Sequence, residues 1–271
     1  MEWSLLFFIG LIAGTFGSLV GLGGGVITVP SLIYADSTGL LTRPLTHQNA
    51  VGISLMVIIF TAISSTLYNY KQKKVDLKSG LFFFSASGPA AIIGSIISEY
   101  LQVKQFYLLF GIVMIIITYL LSVKNKIAPR KINWDVSRDY IDASGNSYHY
   151  GYNKTSGFLV TAIAGLLAGL FGIGGGAILV PMMVILFNFP PHVAVATSMF
   201  IILMSASVGS IAHIIQGNII FIYVLIIGTG AYIGGRLGAY ISTKISSKTL
   251  IVLLRLIIVL IAGQMIYKGI F

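Results

Sequence analysis

The sequence contains no cysteine. This absence excludes disulfide bonds, thiolate metal sites and cysteine-based redox or persulfide chemistry. Histidine is scarce as well, with four residues, and no pair shows the HExxH spacing that holds zinc on a helix. We therefore expect no metal and no cofactor. The sequence also lacks the clustered acid–base set that a membrane-embedded enzyme would need.

Charged residues are also scarce. Only 9% of the 271 residues are charged and 56% are hydrophobic, whereas soluble domains carry about 25% charged residues. This composition predicts an all-α integral membrane protein that has the lipid bilayer as its surroundings. The formal net charge is +10, but the basic residues lie in loops between apolar segments. We interpret them as orientation signals and expect no nucleic-acid partner.

Eight apolar segments lie at residues 3–34, 49–69, 79–100, 105–123, 156–188, 193–214, 219–242 and 249–270. The first and the fifth exceed the roughly 20 residues that one crossing requires. Each contains a glycine triplet, and glycine weakens a helix interior. We predict a helix, a break and a shorter second helix in both segments. One crossing per broken segment gives eight spans. Two crossings give ten spans and inverted repeats, and both counts stay open.

The two broken segments repeat one motif at an offset of 151 residues. GLGGGVITVP at 21–30 matches GIGGGAILVP at 172–181. A second match pairs AVGIS at 50–54 with AVATS at 194–198. The chain therefore consists of two homologous halves of four apolar segments, and each half opens with a glycine-broken helix.

A polar linker at 124–155 joins the two transmembrane repeats, which we place at 1–123 and 156–271. Its polar and aromatic residues alternate around Ser144-Gly145-Asn146, which predicts a β-hairpin on the membrane surface. The plain alternative is a solvated connector.

Basic residues are distributed unequally between the loops. Loop 71–78 and the linker hold ten, and the loops expected on the opposite side hold four, namely Arg43, Lys104, Lys244 and Lys248. Because basic loops stay inside, we expect loop 71–78 and the linker to be cytoplasmic and the protein to lie in the cell membrane.

The glycine breaks form the first candidate site. Broken helices at matching places in two halves of a membrane protein point to a transporter's substrate site. The helix that begins after each break presents unpaired N–H groups and a partial positive charge, which favour an anion. The alternative is close helix packing through small residues. The expected contacts are Gly23, Gly24, Gly25, Val26, Gly174, Gly175, Gly176 and Ala177.

Polar side chains near the start of the next helix form the second candidate site. Asn49 and Ser54 lie in the first half, and Thr197 and Ser198 lie in the second. Uncharged donors suit an oxyanion that must bind and leave; the alternative is helix capping and interhelical hydrogen bonding. Arg236, inside an apolar run, completes the expected site because a charge within the membrane indicates a function by default.

Other titratable residues receive plainer interpretations. We expect His47 and His192 at the membrane interface, and Glu99 is the one candidate buried acid. Asn69 and His213 occupy matching positions in the two halves, where capping is favoured over coupling.

The duplicated GxGGGxxxxP motif, the A-V-[GA]-x-S element that follows and the polar linker resemble the sulfite exporter TauE/SafE family. Its members are also called four-toluene-sulfonate-uptake-type permeases. The A-V-A-T-S element matches at Ala194–Ser198, whereas Gly52 and Ile53 replace Ala and Thr in the first half. The resemblance implies a carrier of sulfur-containing anions such as sulfite or an organosulfonate, often outward.

The expected function is therefore secondary transport, in the export direction, of a small sulfur-containing anion by alternating access around the paired broken helices. An anion channel and a carrier of another small organic anion are the alternatives. The expected partners are the anion and the bilayer, with a homo-oligomer left open.

Overall fold

The computed structural model describes residues 2–123, 134–141, 145 and 147–270. This part of the chain is mostly helical, with ten helices and one two-stranded sheet. In chain order the elements are α1 Glu2–Val20, α2 Gly25–Ser37, α3 His47–Lys71, α4 Leu77–Ser98, α5 Val103–Val123, β1 Val136–Ile141, β2 Ser147–Tyr152, α6 Lys154–Phe171, α7 Gly176–Ile185, α8 Pro191–Ile215, α9 Phe221–Ser242 and α10 Ser247–Ile270.

Six helices of the described residues, α1, α3, α4, α6, α8 and α9, are long and apolar enough to cross a bilayer. The segments expected at 3–34 and 156–188 are each two helices, separated at the glycine runs. At 1.5 Å per residue, the 13 residues of α2 and the 10 of α7 reach about 20 and 15 Å, short of the roughly 30 Å apolar core. Each is therefore a half-length helix.

Helix contacts occur in matched pairs. Helix α1 packs along α9, and α6 packs along α4; α3 packs on α9, and α8 packs on α4. Helix α3 also contacts α8, and α5 contacts α10. Exchanging the first five helices for the last five leaves this contact pattern unchanged.

Contacts at glycine residues show the relative direction of α1 and α9. Gly10 faces Ile227, Gly14 faces Ala231 and Gly238 faces Thr15, so α1 and α9 run in the same direction. The missing side chains let the two backbones approach closely, as in small-residue contacts between membrane helices.

The start of α1 marks one end of the molecule, which we call the Glu2 face. The Glu2 carboxylate accepts a hydrogen bond from the Thr42 N–H at 3.1 Å and another from the Tyr223 hydroxyl. Helix α2 thus returns to the face where α1 began. His47 joins Leu101 here, and Asn218 joins Glu99, which places the α4–α5 and α8–α9 connections on the same face.

The opposite end, which we call the basic face, carries the α3–α4 loop and the hairpin. Strands β1 and β2 pair antiparallel from Val136 opposite Tyr152 to Ile141 opposite Ser147. The expected turn residues Ser144 and Asn146 lie outside the described residues. The Gly151 N–H donates to the Phe187 carbonyl at 3.0 Å, so α7 ends at this face.

The placement of Lys244 on the side opposite loop 71–78 was wrong. Tyr68 and Tyr240 are in edge contact, with ring centroids 6.5 Å apart, and each lies within four residues of its helix's end at the basic face. Lys244 and Lys248 flank the α9–α10 connection at that face. The count failed because α7 returns the chain to the face that α6 left, which reverses the side of every later loop. Moving the two lysines increases the charge asymmetry.

Candidate functional site

A glycine turn joins α1 to α2, and another joins α6 to α7. We call Gly21–Gly25 the first glycine turn and Gly172–Gly176 the second. Gly21, Gly23 and Gly24 have φ values of +78°, +82° and +96°, and the corresponding three glycines of the second turn have +66°, +74° and +71°. Only glycine adopts this left-handed region without strain. These six glycines are thus conformational requirements of the reversal.

The two glycine turns meet each other. A Cβ atom added to Gly25 would collide with the Gly172 carbonyl, and one added to Gly176 would collide with the Gly21 carbonyl. All residues of both turns are buried. The contact is therefore reciprocal and leaves no space for a side chain at either position.

One serine links each glycine turn to a helix of the other half of the chain. The Ser54 hydroxyl on α3 donates to the Gly172 carbonyl at 2.7 Å. The Ser198 hydroxyl on α8 lies 3.0 Å from the Gly21 carbonyl and 2.8 Å from the Val195 carbonyl of its own helix. Both serines are fully buried. The structure thus brings Ser54 and Ser198 to the glycine turns.

Buried N–H groups begin the two half-length helices. Intrahelical bonding starts with Ile27, which donates to the Gly24 carbonyl, and with Ile178, which donates to the Gly175 carbonyl. Among the described residues, no hydrogen-bond partner is recorded for the N–H groups of Gly25, Val26, Gly176 and Ala177. A buried, unpaired N–H is costly and rare. These donors, at the positive ends of two helix dipoles, suit a negatively charged oxygen.

Two isoleucines close the turns on one side. Added Cβ atoms at Gly23 and Gly174 would lie 3.1–3.3 Å from the side chains of Ile58 and Ile202. The two isoleucines are fully buried and occupy matching positions on α3 and α8. Sequence reasoning missed them, although the 144-residue offset that pairs Ser54 with Ser198 also pairs Ile58 with Ile202.

An apolar cavity of about 430 Å³ borders Val26. Leu5 and Ile9 of α1, Pro30 of α2 and Gln264 of α10 contribute to its wall. The first turn of α2 thus lies between the packed glycine turns and an open volume.

Three expected site residues do not join the turns. Asn49 forms a capping box with Thr46, and its Oδ1 atom accepts from the Thr46 N–H at 3.1 Å. The Thr197 hydroxyl accepts from the Asp76 N–H at 3.0 Å and so holds the α3–α4 loop. Arg236 is exposed on the outer face of α9, beside the exposed Leu237. Two of these side chains therefore serve local structure, and the third faces outward.

The matched pair Asn69 and His213 is asymmetric in structure. The Asn69 side-chain amide donates to the Ser65 carbonyl of its own helix, one turn earlier, at 3.0 Å. His213 is fully buried, and neither ring nitrogen has a hydrogen-bond partner among the described residues. The Gly169 carbonyl lies close to the ring, with a geometry short of a hydrogen bond, and the Glu99 carboxylate acts on it through its charge. The expected burial of Glu99 is wrong, because its side chain is exposed at the Glu2 face and accepts from Asn218 at 2.8 Å.

The remaining histidines lie at the ends of the molecule. His47 Nε2 lies 3.0 Å from the Leu101 carbonyl, and His192 begins α8 at the basic face. No group of three or more metal-ligating side chains occurs within the described ranges. Among the described residues, the polar chemistry at the glycine turns is that of backbone amides and of three hydroxyls, because the buried Thr28 hydroxyl also donates to the Gly24 carbonyl, at 3.1 Å.

Comparison with known proteins identifies the family. The family model described as sulfite exporter TauE/SafE matches residues 6–265. The chain belongs to the sulfite exporter TauE/SafE family. It is 47% identical, over the full length of both chains, to the "Probable membrane transporter protein YunE" of Bacillus subtilis.

More distant relatives align over most of the chain. The "Probable membrane transporter protein MJ0441" of Methanocaldococcus jannaschii is 28% identical, with 92% of this chain and 90% of the relative covered. The "Probable membrane transporter protein YfcA" of Escherichia coli K12 is 23% identical, with 97% and 88% covered. No solved structure matches. The protein is thus a multi-pass membrane transporter.

Proposed function

We propose that the protein is a secondary transporter that exports a small sulfur-containing oxyanion, such as sulfite or an organosulfonate, and that the substrate binds where the two glycine turns meet. The observation that carries this proposal is the set of four buried, unpaired N–H groups at Gly25, Val26, Gly176 and Ala177. Four donors and two helix dipoles stabilise an oxyanion without a full protein charge. The family description supplies the substrate class.

The arrangement of the two halves supports alternating access as the transport mechanism. We propose two inverted repeats, 1–123 and 156–271, joined by the linker 124–155, with the basic face in the cytoplasm and the protein in the cell membrane. The hairpin α1–α2 enters from the Glu2 face, and α6–α7 enters from the basic face. A rocking motion of such halves around a central site exposes it to each side in turn. The packed turns, closed on one side by Ile58 and Ile202, favour a carrier over an open channel.

A transport assay with glycine variants tests the proposal. Gly25→Ala and Gly176→Ala each place a Cβ atom against a backbone carbonyl, so we expect sulfite efflux from proteoliposomes to fall at least tenfold. Gly263→Ala is the matched control, because no atom of the described residues lies within 4 Å of the added atom. Size-exclusion chromatography verifies folding of each variant. Undiminished efflux by the folded variants Gly25→Ala and Gly176→Ala would contradict the site, and efflux without saturation or exchange would indicate a channel.

We propose proton coupling through His213. Gly52 of α3 lies against the Cβ atom of His213, and Glu99 is the charged group that acts on the buried ring among the described residues. An imidazole without a fixed partner is suited to gain and lose a proton during the cycle.

The variant His213→Asn installs the residue found at the matching position 69. We expect transport by this variant to lose its response to a pH gradient while anion-dependent thermal stabilisation persists. His192→Asn is the control for removing a histidine. An unchanged pH response in His213→Asn would refute the coupling role.

A further inference from the structure

A second cavity, with a polar lining, lies at the basic face, away from the glycine turns. Its volume is about 340 Å³, which accommodates an oxyanion group with several waters. The α3–α4 loop forms one wall, strand β1 forms another, and Val193 of α8 contributes from below. We call this cavity the lysine pocket. The basic residues of its lining are Lys73, Lys74, Lys78 and Arg138.

The two acids in this lining have other partners. Asp76 caps α4 by accepting from the Ser79 N–H at 3.1 Å and from the Ser79 hydroxyl at 2.6 Å. Its carboxylate also accepts from the Tyr150 hydroxyl at 3.2 Å. Asp139 pairs with the His149 ring at 2.8 Å. Both carboxylates are therefore engaged by groups other than the three lysines.

The lysines lack such partners. Among the described residues, the ion pairs join Arg138 to Asp76 and His149 to Asp139, and neither includes a lysine. Lys74 is half-buried, and burial lowers the pKa of its ammonium. Lys74 also acts electrostatically on His192, a second group that is positive when protonated. A desolvated cation without a counter-ion is a position where an external anion restores the lost interactions.

The surrounding structure holds the pocket in shape. Tyr150 is 4% exposed and packs against Phe189 with ring centroids 4.2 Å apart, so the hairpin is fixed over the loop. The N-termini of α4 and α8 both lie at the pocket, and their partial positive charges add to those of the lysines.

We propose that the lysine pocket binds an oxyanion group, of the phosphate, sulfate or sulfonate type, at a site separate from the glycine turns. The group belongs either to a soluble anion or to the headgroup of an anionic lipid, since both present the same oxygens to the lysines. The proposal does not depend on which anion crosses the membrane.

The test uses the full-length protein and a local reporter. The chain has two tryptophans, and Trp134 packs on Gly151 of the hairpin. In a Trp3→Phe background, fluorescence of Trp134 follows titration with sodium sulfate or inorganic phosphate against sodium chloride of equal ionic strength. A parallel arm compares nanodiscs of phosphatidylglycerol with nanodiscs of phosphatidylcholine.

We expect the double variant Lys74→Gln/Lys78→Gln to weaken the response by about tenfold or more, because each lysine supplies a charge-assisted hydrogen bond. Lys71→Gln is the matched control, since Lys71 is exposed near the same loop and does not line the pocket. A lysine-dependent response to sulfate or phosphate supports a soluble anion, and one confined to phosphatidylglycerol supports a lipid headgroup.

A response that is the same in wild type and in Lys74→Gln/Lys78→Gln, or no response in either arm, would overturn the proposal. Lys78 is exposed in the first turn of α4 and Lys74 is half-buried in the preceding loop, so the folded state is expected to survive these changes; size-exclusion chromatography verifies it. Failure here leaves the glycine turns untouched, because no transport is measured. The single variant Lys78→Glu gives a second, independent reading and should abolish the response.

Discussion

At the scale of single residues, two serines and four glycines determine how the halves meet. Each serine hydroxyl reaches a carbonyl that the left-handed glycine turn leaves without a helical partner. The serines were expected from the sequence as substrate contacts, and in this closed arrangement they bond to the protein itself. Their hydroxyls become available only if the turns separate.

Removal of the Ser54 hydroxyl and removal of the Ser198 hydroxyl should lower the free energy of unfolding by different amounts. Ser54→Ala leaves the buried Gly172 carbonyl unpaired, so we expect a loss of about 1–3 kcal/mol in the free energy of unfolding. Ser198→Ala should cost less, because its one proton is shared between the carbonyls of Gly21 and Val195. Thermal melts of the two variants in detergent measure this order. A larger loss for Ser198→Ala would contradict the hydrogen bonds described.

Residues such as Thr197 and Arg236 show where reasoning from sequence ends. Both were expected at the site because polar groups are rare in apolar segments. Whether a hydroxyl faces a substrate or the loop at Asp76 depends on helix rotation and on a partner 121 residues away. The local sequence determines neither the rotation of the helix nor the identity of the distant partner. The glycine turns were predictable because positive φ is a local requirement that glycine meets.

At the scale of elements, α2 and α7 are too short to cross, and each returns to the face from which its hairpin began. The sequence predicted both breaks but left open whether the broken segments cross once or twice. Length alone could not decide, because 3–34 permits one bent crossing or a return. The contact of Glu2 with Thr42, 40 residues later, decides it for the first hairpin.

Single-cysteine labelling tests the two hairpins, and the absence of native cysteine makes the chain a clean background. Thr38→Cys follows α2, and Leu186→Cys follows α7; both positions are exposed. We expect an impermeant maleimide to label them from opposite sides of the membrane. Thr42→Cys and Lys78→Cys are the controls for the Glu2 face and the basic face. Labelling of Thr38→Cys and Leu186→Cys from one side would exclude inverted hairpins.

At the scale of the whole molecule, the helices pack as two interlocked halves, with α1 against α9 and α6 against α4. Membrane insertion, the broken helices and the family could be predicted from composition and from the repeated motif. The interlocking could not, because it depends on which distant helices share small-residue faces. Gly230 and Gly234 show such a face only when Phe7 and Leu11 are placed opposite them.

The most direct test of the central site is thermal stabilisation of purified protein by anions, because a ligand that binds the folded state raises its stability. Sulfite, sulfate, thiosulfate, sulfoacetate and taurine are compared with acetate and phosphate, in the Lys74→Gln/Lys78→Gln background so that the lysine pocket does not contribute. We predict stabilisation by a sulfur oxyanion that persists with Gly263→Ala and disappears with Gly25→Ala. Equal stabilisation with Gly25→Ala, or none by any anion, would contradict an oxyanion site at the glycine turns.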